Sequence, residues 1–148
     1  MSLLARFIRK FFLIKEIVSK EGEVHFRRYR LLATPWFNLY LHNIRRSDED
    51  RHMHDHPWHF LSLIISGSYG ETYRTYPFFD AETHVWYDTG MVIMHDARDV
   101  HKITLRTPEV WTLVLTSGRE RVWGYRTKNG WINFKKYRQL KRDGQLPE

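Results

Sequence analysis

The stretch RHMHDHPWHF, Arg51 to Phe60, holds four of the chain's nine histidines: His52, His54, His56 and His59. Imidazole can bind a metal, move a proton near neutrality, or sit hydrogen-bonded in a polar loop. Spacing begins to separate these roles. His54 and His56 are two apart, and on a strand alternate residues face the same side. Both rings can therefore aim into one interior. Pro57 lacks a backbone donor and marks an edge or irregular position just beyond them. Two ligands make half a metal site, and a third must come from elsewhere. The chain has no cysteine, so the third must be His, Asp or Glu. Disulfides, zinc ribbons, iron–sulfur clusters and thiol nucleophiles are excluded on the same ground. His101, in MHDARDVHKI, is the leading candidate, because a hairpin neighbour can bring it opposite the pair. His95 is its rival. His52 and His59 read as rim or supporting residues. Proton transfer is the catalytic role either would take.

Short strand-like runs surround these histidines. EVHFRRYRLL and WFNLYLHNI precede SDED, a polar turn. FLSLIISGSYGETYRTY follows the cluster, with Gly67 dividing two strand-like pieces. HVWYDTG, MVIMH, HKITLRT, VWTLVLTSG, RVWGYRT and WINFKKY continue the series, with DARD, SGRE and KNG as turns. Many short strands at even spacing predict an antiparallel β-sandwich or barrel. Alternate side chains of such a barrel fill its interior or line a pocket. The leading LLARFIRKFFLIK is different. Leu3, Leu4, Phe7, Ile8, Phe11 and Phe12 recur at helical spacing, with Arg6, Arg9 and Lys10 elsewhere on the wheel. That stripe is expected to pack on the domain or on a second subunit, with a membrane surface as the rival. The closing KRDGQLPE is expected to be a loose tail.

The spacing also resembles the cupin superfamily, whose small jelly-roll barrels carry two motifs. In the first, His54 and His56 match the paired histidines, Phe60 falls in the glutamate slot and Gly67 in the glycine slot. Asp48 stands where that motif begins with glycine. In the second, Gly90 opens the motif and His101 falls on its histidine. Asp96, Arg98 and Leu105 occupy the proline, glycine and asparagine slots. The likeness covers Asp48 to Leu105. HDHPWHFLSLIISGSYGE is also similar to small cupin-like proteins of phages and bacteria. The resemblance implies an all-β jelly roll with a short N-terminal amphipathic helix. Its bounds are 1–13 for the helix, 14–138 for the jelly roll and 139–148 for the tail. It implies a divalent metal on His54, His56 and His101, with Phe60, Trp58, His95 and Glu71 as pocket candidates. Phe60 removes the usual carboxylate, unless Glu71 or Asp55 reaches in. Three neutral imidazoles leave the metal's charge uncompensated and favour an anionic co-ligand. Cupin dioxygenases with three histidines on ferrous iron are similar. Imidazole alone does not choose among Fe2+, Zn2+, Mn2+ and Ni2+.

The remaining features bound the answer. At 148 residues there is room for one domain. Aromatics form 16% of the chain, which suits strands and filled cores and argues against disorder. The net charge of +7 comes from Lys and Arg spread among acids, without a long basic run, so it points away from nucleic acid. RVWGYRTKNGW could stack nucleobases, but on a β-rich protein such residues are expected in core and rim. There is no phosphate loop and no dinucleotide fingerprint. No apolar run is long enough to span a membrane, and a cytoplasmic location is expected. The readings are a metal-dependent oxygenase acting on a small anionic substrate, a Lewis-acid isomerase or hydrolase, or a non-enzymatic ligand-binding cupin. A homodimer is expected from cupin-like sheet edges.

Overall fold

The computed structural model describes residues 2–147. In chain order come α1 (Leu3–Phe12), β1 (Leu13–Val18), β2 (Val24–Ala33), β3 (Phe37–Ile44), β4 (Met53–His54), β5 (Phe60–Ser66) and β6 (Tyr69–Arg74). Then follow β7 (Thr83–Tyr87), β8 (Val92–His95), β9 (Val100–Leu105), β10 (Val110–Ser117), β11 (Gly124–Thr127), β12 (Gly130–Asn133) and α2 (Phe134–Arg142). Two six-stranded sheets form, ordered β1-β2-β3-β10-β5-β8 and β12-β11-β4-β9-β6-β7. Every strand pair is antiparallel. This is the antiparallel β-sandwich that the even spacing of short strands predicted, in the jelly-roll form that the resemblance implied.

The inner faces follow from the period of two. On β10, Val110, Thr112, Val114 and Thr116 are buried. Ile44, His42, Tyr40 and Asn38 pair with them from β3. Ile64, Ser62 and Phe60 stand on the other side, on β5. Ile64, Tyr69, Ile93 and Val110 form the apolar core, packed by Ile44, Tyr87, Ile103 and Leu105. That core fills one end of the sandwich. The same strands carry Phe60, His95 and His101 toward the other end, so apolar packing fixes the strands that present the polar groups. Gly67 turns β5 into β6 with φ of 92°, and a Cβ there would stand 2.5 Å from the Glu109 carbonyl oxygen. Glycine alone tolerates both demands.

The structure narrows one sequence expectation and corrects others. Of the partners expected for the α1 stripe, the chain's own domain does not cover it: Leu3 is 85% exposed, Phe7 54% and Phe11 61%. The helix is short, and Phe7 packs mainly on Phe11 beside it, ring centroids 4.7 Å apart. LIK, read with that helix, opens β1 instead, which pairs with β2. WINFKKY is a strand only to Asn133. The Asn133 side chain accepts a hydrogen bond from the Lys136 N–H at 3.0 Å, a cap that starts α2. Buried Tyr137 then stacks on Tyr125 at 3.7 Å, which holds α2 helical through Arg142, into the segment expected to be tail. Among the described residues, no helix is long and apolar enough to cross a membrane.

Candidate metal centre

β4 is two residues long, yet it is wedged between two strands. His54 pairs with His101 of β9 on one side and with Tyr125 of β11 on the other. Beyond it the chain is pinned by backbone bonds, Asp55 N–H to the Gly124 carbonyl at 3.0 Å and His56 N–H to the Ala97 carbonyl at 3.2 Å. Asp55 does not reach the histidines. Its buried carboxylate accepts from Gly124 N–H at 2.6 Å, Trp131 Nε1–H at 2.8 Å and Arg121 Nη1–H at 2.5 Å. Asp55 therefore locks the loop that carries its two histidine neighbours, which point to the opposite side.

The nitrogen atoms of His54, His56 and His101 lie within 4.8 Å of one another. His54 and His56 are part-exposed at the mouth, and His101 is buried behind them. His56 Nε2 and His101 Nε2 are 2.7 Å apart. Such a contact between imidazoles requires one shared proton, and a metal entering the site would take that proton's place. Burial, and then His101, push His54 down to about 4. Burial, His101 and His54 push His56 well below its ordinary value. Both rings are therefore neutral at pH 7, with lone pairs to donate, which is the form a metal needs.

His101 is held from behind. Glu71 on β6 faces the same interior, and its Oε1 accepts the His101 Nδ1–H. The register explains this: Tyr73 pairs with His101 and Glu71 with Ile103, so Glu71 sits one inner position away. With Nδ1 protonated, Nε2 carries the lone pair and accepts the proton shared with His56 Nε2. Glu71 is 1% exposed. Burial opposes its ionisation, but His101 and His95 outweigh that and hold it at about 2. His95 Nε2 is 3.0 Å from the same Glu71 oxygen, and His95 Nδ1 is 3.3 Å from Asp99 Oδ2. Burial opposes protonation of His95, and the two carboxylates outweigh it, raising its pKa. His95, the rival third ligand, thus belongs to a second group, Glu71–His95–His101. The two groups share His101.

The other sequence candidates fall around this centre. The Phe60 ring points inward, 4.8 Å from His56, 5.4 Å from His95 and 5.9 Å from His101. Trp58 lies against Tyr40, ring centroids 5.9 Å apart. His52 is buried, its Nδ1 3.0 Å from the Tyr137 hydroxyl, so it props α2 and does not join the triad. His59 turns away, 3.2 Å from Asp96 and 2.9 Å from Glu120. It borders a shallow groove of ≈ 530 Å³ over Phe37, Leu61, Met94 and Leu115. Phe60 and His95 also line that groove, so the Phe60 ring stands between it and the triad. The residues that sequence spacing passed over are Trp123 and Tyr125, whose rings each lie 6.1 Å from His54. Their signal was present in RVWGYRT, a second alternating aromatic run.

Comparison with solved structures agrees on the fold. The chain superposes on Fe(II)-HppE with an alternative substrate at a TM-score of 0.53 and 10% identity, over 69% of this chain and 55% of that one. It superposes on KdgF from Halomonas sp. at 0.53 and 13% identity, over 74% and 95%. A structure described with the DMSP lyases RdDddP and RnDddQII matches at 0.50 and 22% identity, over 63% and 47%. The match thus spans about half the length of the HppE and lyase chains. No family model and no curated protein matches the sequence. What is shared is a cupin-like jelly roll, and fold does not supply function.

Proposed function

We propose that this chain is a divalent-metal cupin in which His54, His56 and His101 hold one face of the ion, acting on a small anionic substrate as a non-heme iron oxygenase. The observation that carries the reading is the convergence of three imidazole nitrogens, two on rings held neutral. One of the structural neighbours is described as an Fe(II) protein with substrate, and ferrous iron is the metal chosen here. Bound there, such an ion would supply redox chemistry with dioxygen. The chain's own residues do the rest. Glu71 fixes the His101 tautomer, Asp55 anchors the loop of His54 and His56, and Phe60 excludes water from the inner side. A second reading rests on the missing carboxylate ligand. Three neutral donors leave the full divalent charge on the metal, which also favours Lewis-acid isomerisation or hydrolysis.

The test is elemental analysis of untagged protein, followed by metal titration of the wild type and His101→Ala. Stoichiometric metal in the first and none in a folded His101→Ala protein is expected. Folded wild-type protein that takes up no divalent metal ends the reading. Oxygen consumption with Fe2+ against anaerobic turnover with Zn2+ or Mn2+ separates the two chemistries.

A further inference from the structure

Arg28 sits on the inner face of β2, paired with His42 on β3. Its guanidinium carbon lies 5.2 Å from the ring centroid of Tyr40 and 5.5 Å from those of Phe26 and Trp58. Its Nε–H donates to His42 Nε2 at 2.9 Å. Burial, then Arg28 and Lys15, push His42 well below its ordinary value, so His42 is a neutral acceptor that aims the guanidinium without neutralising it. Arginine has five N–H donors and stays charged in proteins. Among the described residues, none of the ion pairs involves Arg28 or its β1 neighbour Lys15. Arg27 and Arg121, by contrast, meet Glu16 and Asp55.

A part-buried cation without an anion is costly, and aromatic faces offset only part of that cost. They also leave the N–H edge free, which is the edge that grips a carboxylate in a two-point fork. Trp58, 5.5 Å from the guanidinium, is two residues from His56 along the chain, so this edge borders the segment that carries the paired histidines.

We propose that Arg28 is the anchor for the carboxylate of a small organic acid, whose carbon skeleton lies on Trp58 and Tyr40 and extends to the histidine triad. This rests on the metal-centre reading for what happens at the far end of the substrate, but the anchor itself needs no metal.

The experiment therefore begins with the metal-free full chain. Benzoate is titrated calorimetrically into the wild type, Arg28→Gln and Arg28→Lys, with methylphosphonate as a second probe and melting curves as the check on folding. Saturable benzoate binding by the wild type is expected. Arg28→Gln should weaken it at least about tenfold, the scale of a lost charge-assisted pair. Arg28→Lys, which keeps charge but not the fork, should fall between them. Equal benzoate affinity in wild type and in either folded variant overturns the proposal, as does wild-type protein that binds no benzoate or prefers methylphosphonate. Co2+ titration of the same proteins keeps the two readings apart. Arg28-dependent benzoate binding without Co2+ binding would sink the metal centre and leave the anchor standing. Co2+ binding with an Arg28-independent anion response would do the reverse.

Discussion

Replacing Glu71 with glutamine tests which of the two overlapping groups holds a metal. Glu71 is fully enclosed and ionised, in contact with His101 Nδ1 and 3.0 Å from His95 Nε2. Glutamine keeps the volume and can still accept one N–H bond through its amide oxygen, but it removes the charge. His95 would keep one carboxylate, Asp99, at 3.3 Å. If Glu71 supports His101 from behind, the variant loses an orienting, basicity-raising partner and not a ligand. Partners of that kind are worth ~10–100-fold in metal affinity, or ~1.4–2.7 kcal/mol. Chelator competition with Zn2+ measures this directly, beside His101→Ala and His95→Ala. The expected order is a modest loss for Glu71→Gln, a complete loss for His101→Ala and a small effect for His95→Ala. Wild-type affinity in Glu71→Gln would refute the supporting role. Complete loss in both Glu71→Gln and His95→Ala would refute the assignment of the triad and place the metal at Glu71–His95–His101.

Three further outcomes are expected. Phe60→Glu puts a carboxylate where the ring now lies 4.8 Å from His56, and should tighten Zn2+ binding by roughly tenfold through an added charged oxygen; unchanged affinity in a folded variant counts against the inward register of Phe60. Removing residues 1–12 deletes a helix whose large side chains are exposed in the single chain but are each worth ~1.5–3 kcal/mol if buried in a partner copy. The truncation should turn a homodimer into a monomer by light scattering, whereas unchanged size with lost liposome binding would favour a membrane surface. The metal-free protein should lose melting temperature as pH falls from about 6.5 toward about 4. His42 and His54 have lowered folded pKa values, so in that window the unfolded chain takes up protons the folded chain refuses, and stability falls with pH. Glu71, held at about 2, extends the loss once pH drops below its unfolded value. A flat melting temperature between pH 6.5 and 4 would contradict the neutral, buried state assigned to these rings.

The parts of the site legible in the sequence were those set by local geometry. The two-residue spacing of His54 and His56 anticipated that they share a side, although only His54 lies in β4 and His56 is set by its backbone bond to Ala97. The inward place of Phe60 was implied by the motif resemblance, which sets it in the glutamate slot. Long-range register was harder to read. Glu71 was only a pocket candidate, because its relation to His101 depends on how β6 and β9 align, through Tyr73 opposite His101. Arg28 was invisible for a similar reason. In HFRRYR it looks like an ordinary surface cation, and only the β2–β3 pairing with His42 turns it inward. The start of α2 could have been read, since Asn133 precedes Phe134 and Tyr137 at helical spacing, but WIN carried the strand pattern across the boundary. The displaced carboxylate has a chemical consequence. Glu71 approaches His101 on the Nδ1 side, while His56 lies on the Nε2 side. Its charge therefore strengthens a ligand without occupying a coordination position. A metal on the triad would keep its positive charge on the His54 and His56 side, where Asp48 Oδ2 lies 3.9 Å from His54 Nδ1. Arg28, over Tyr40 and Trp58, supplies a separate positive charge, and two cationic points a substrate's length apart would orient an anion rather than merely attract it.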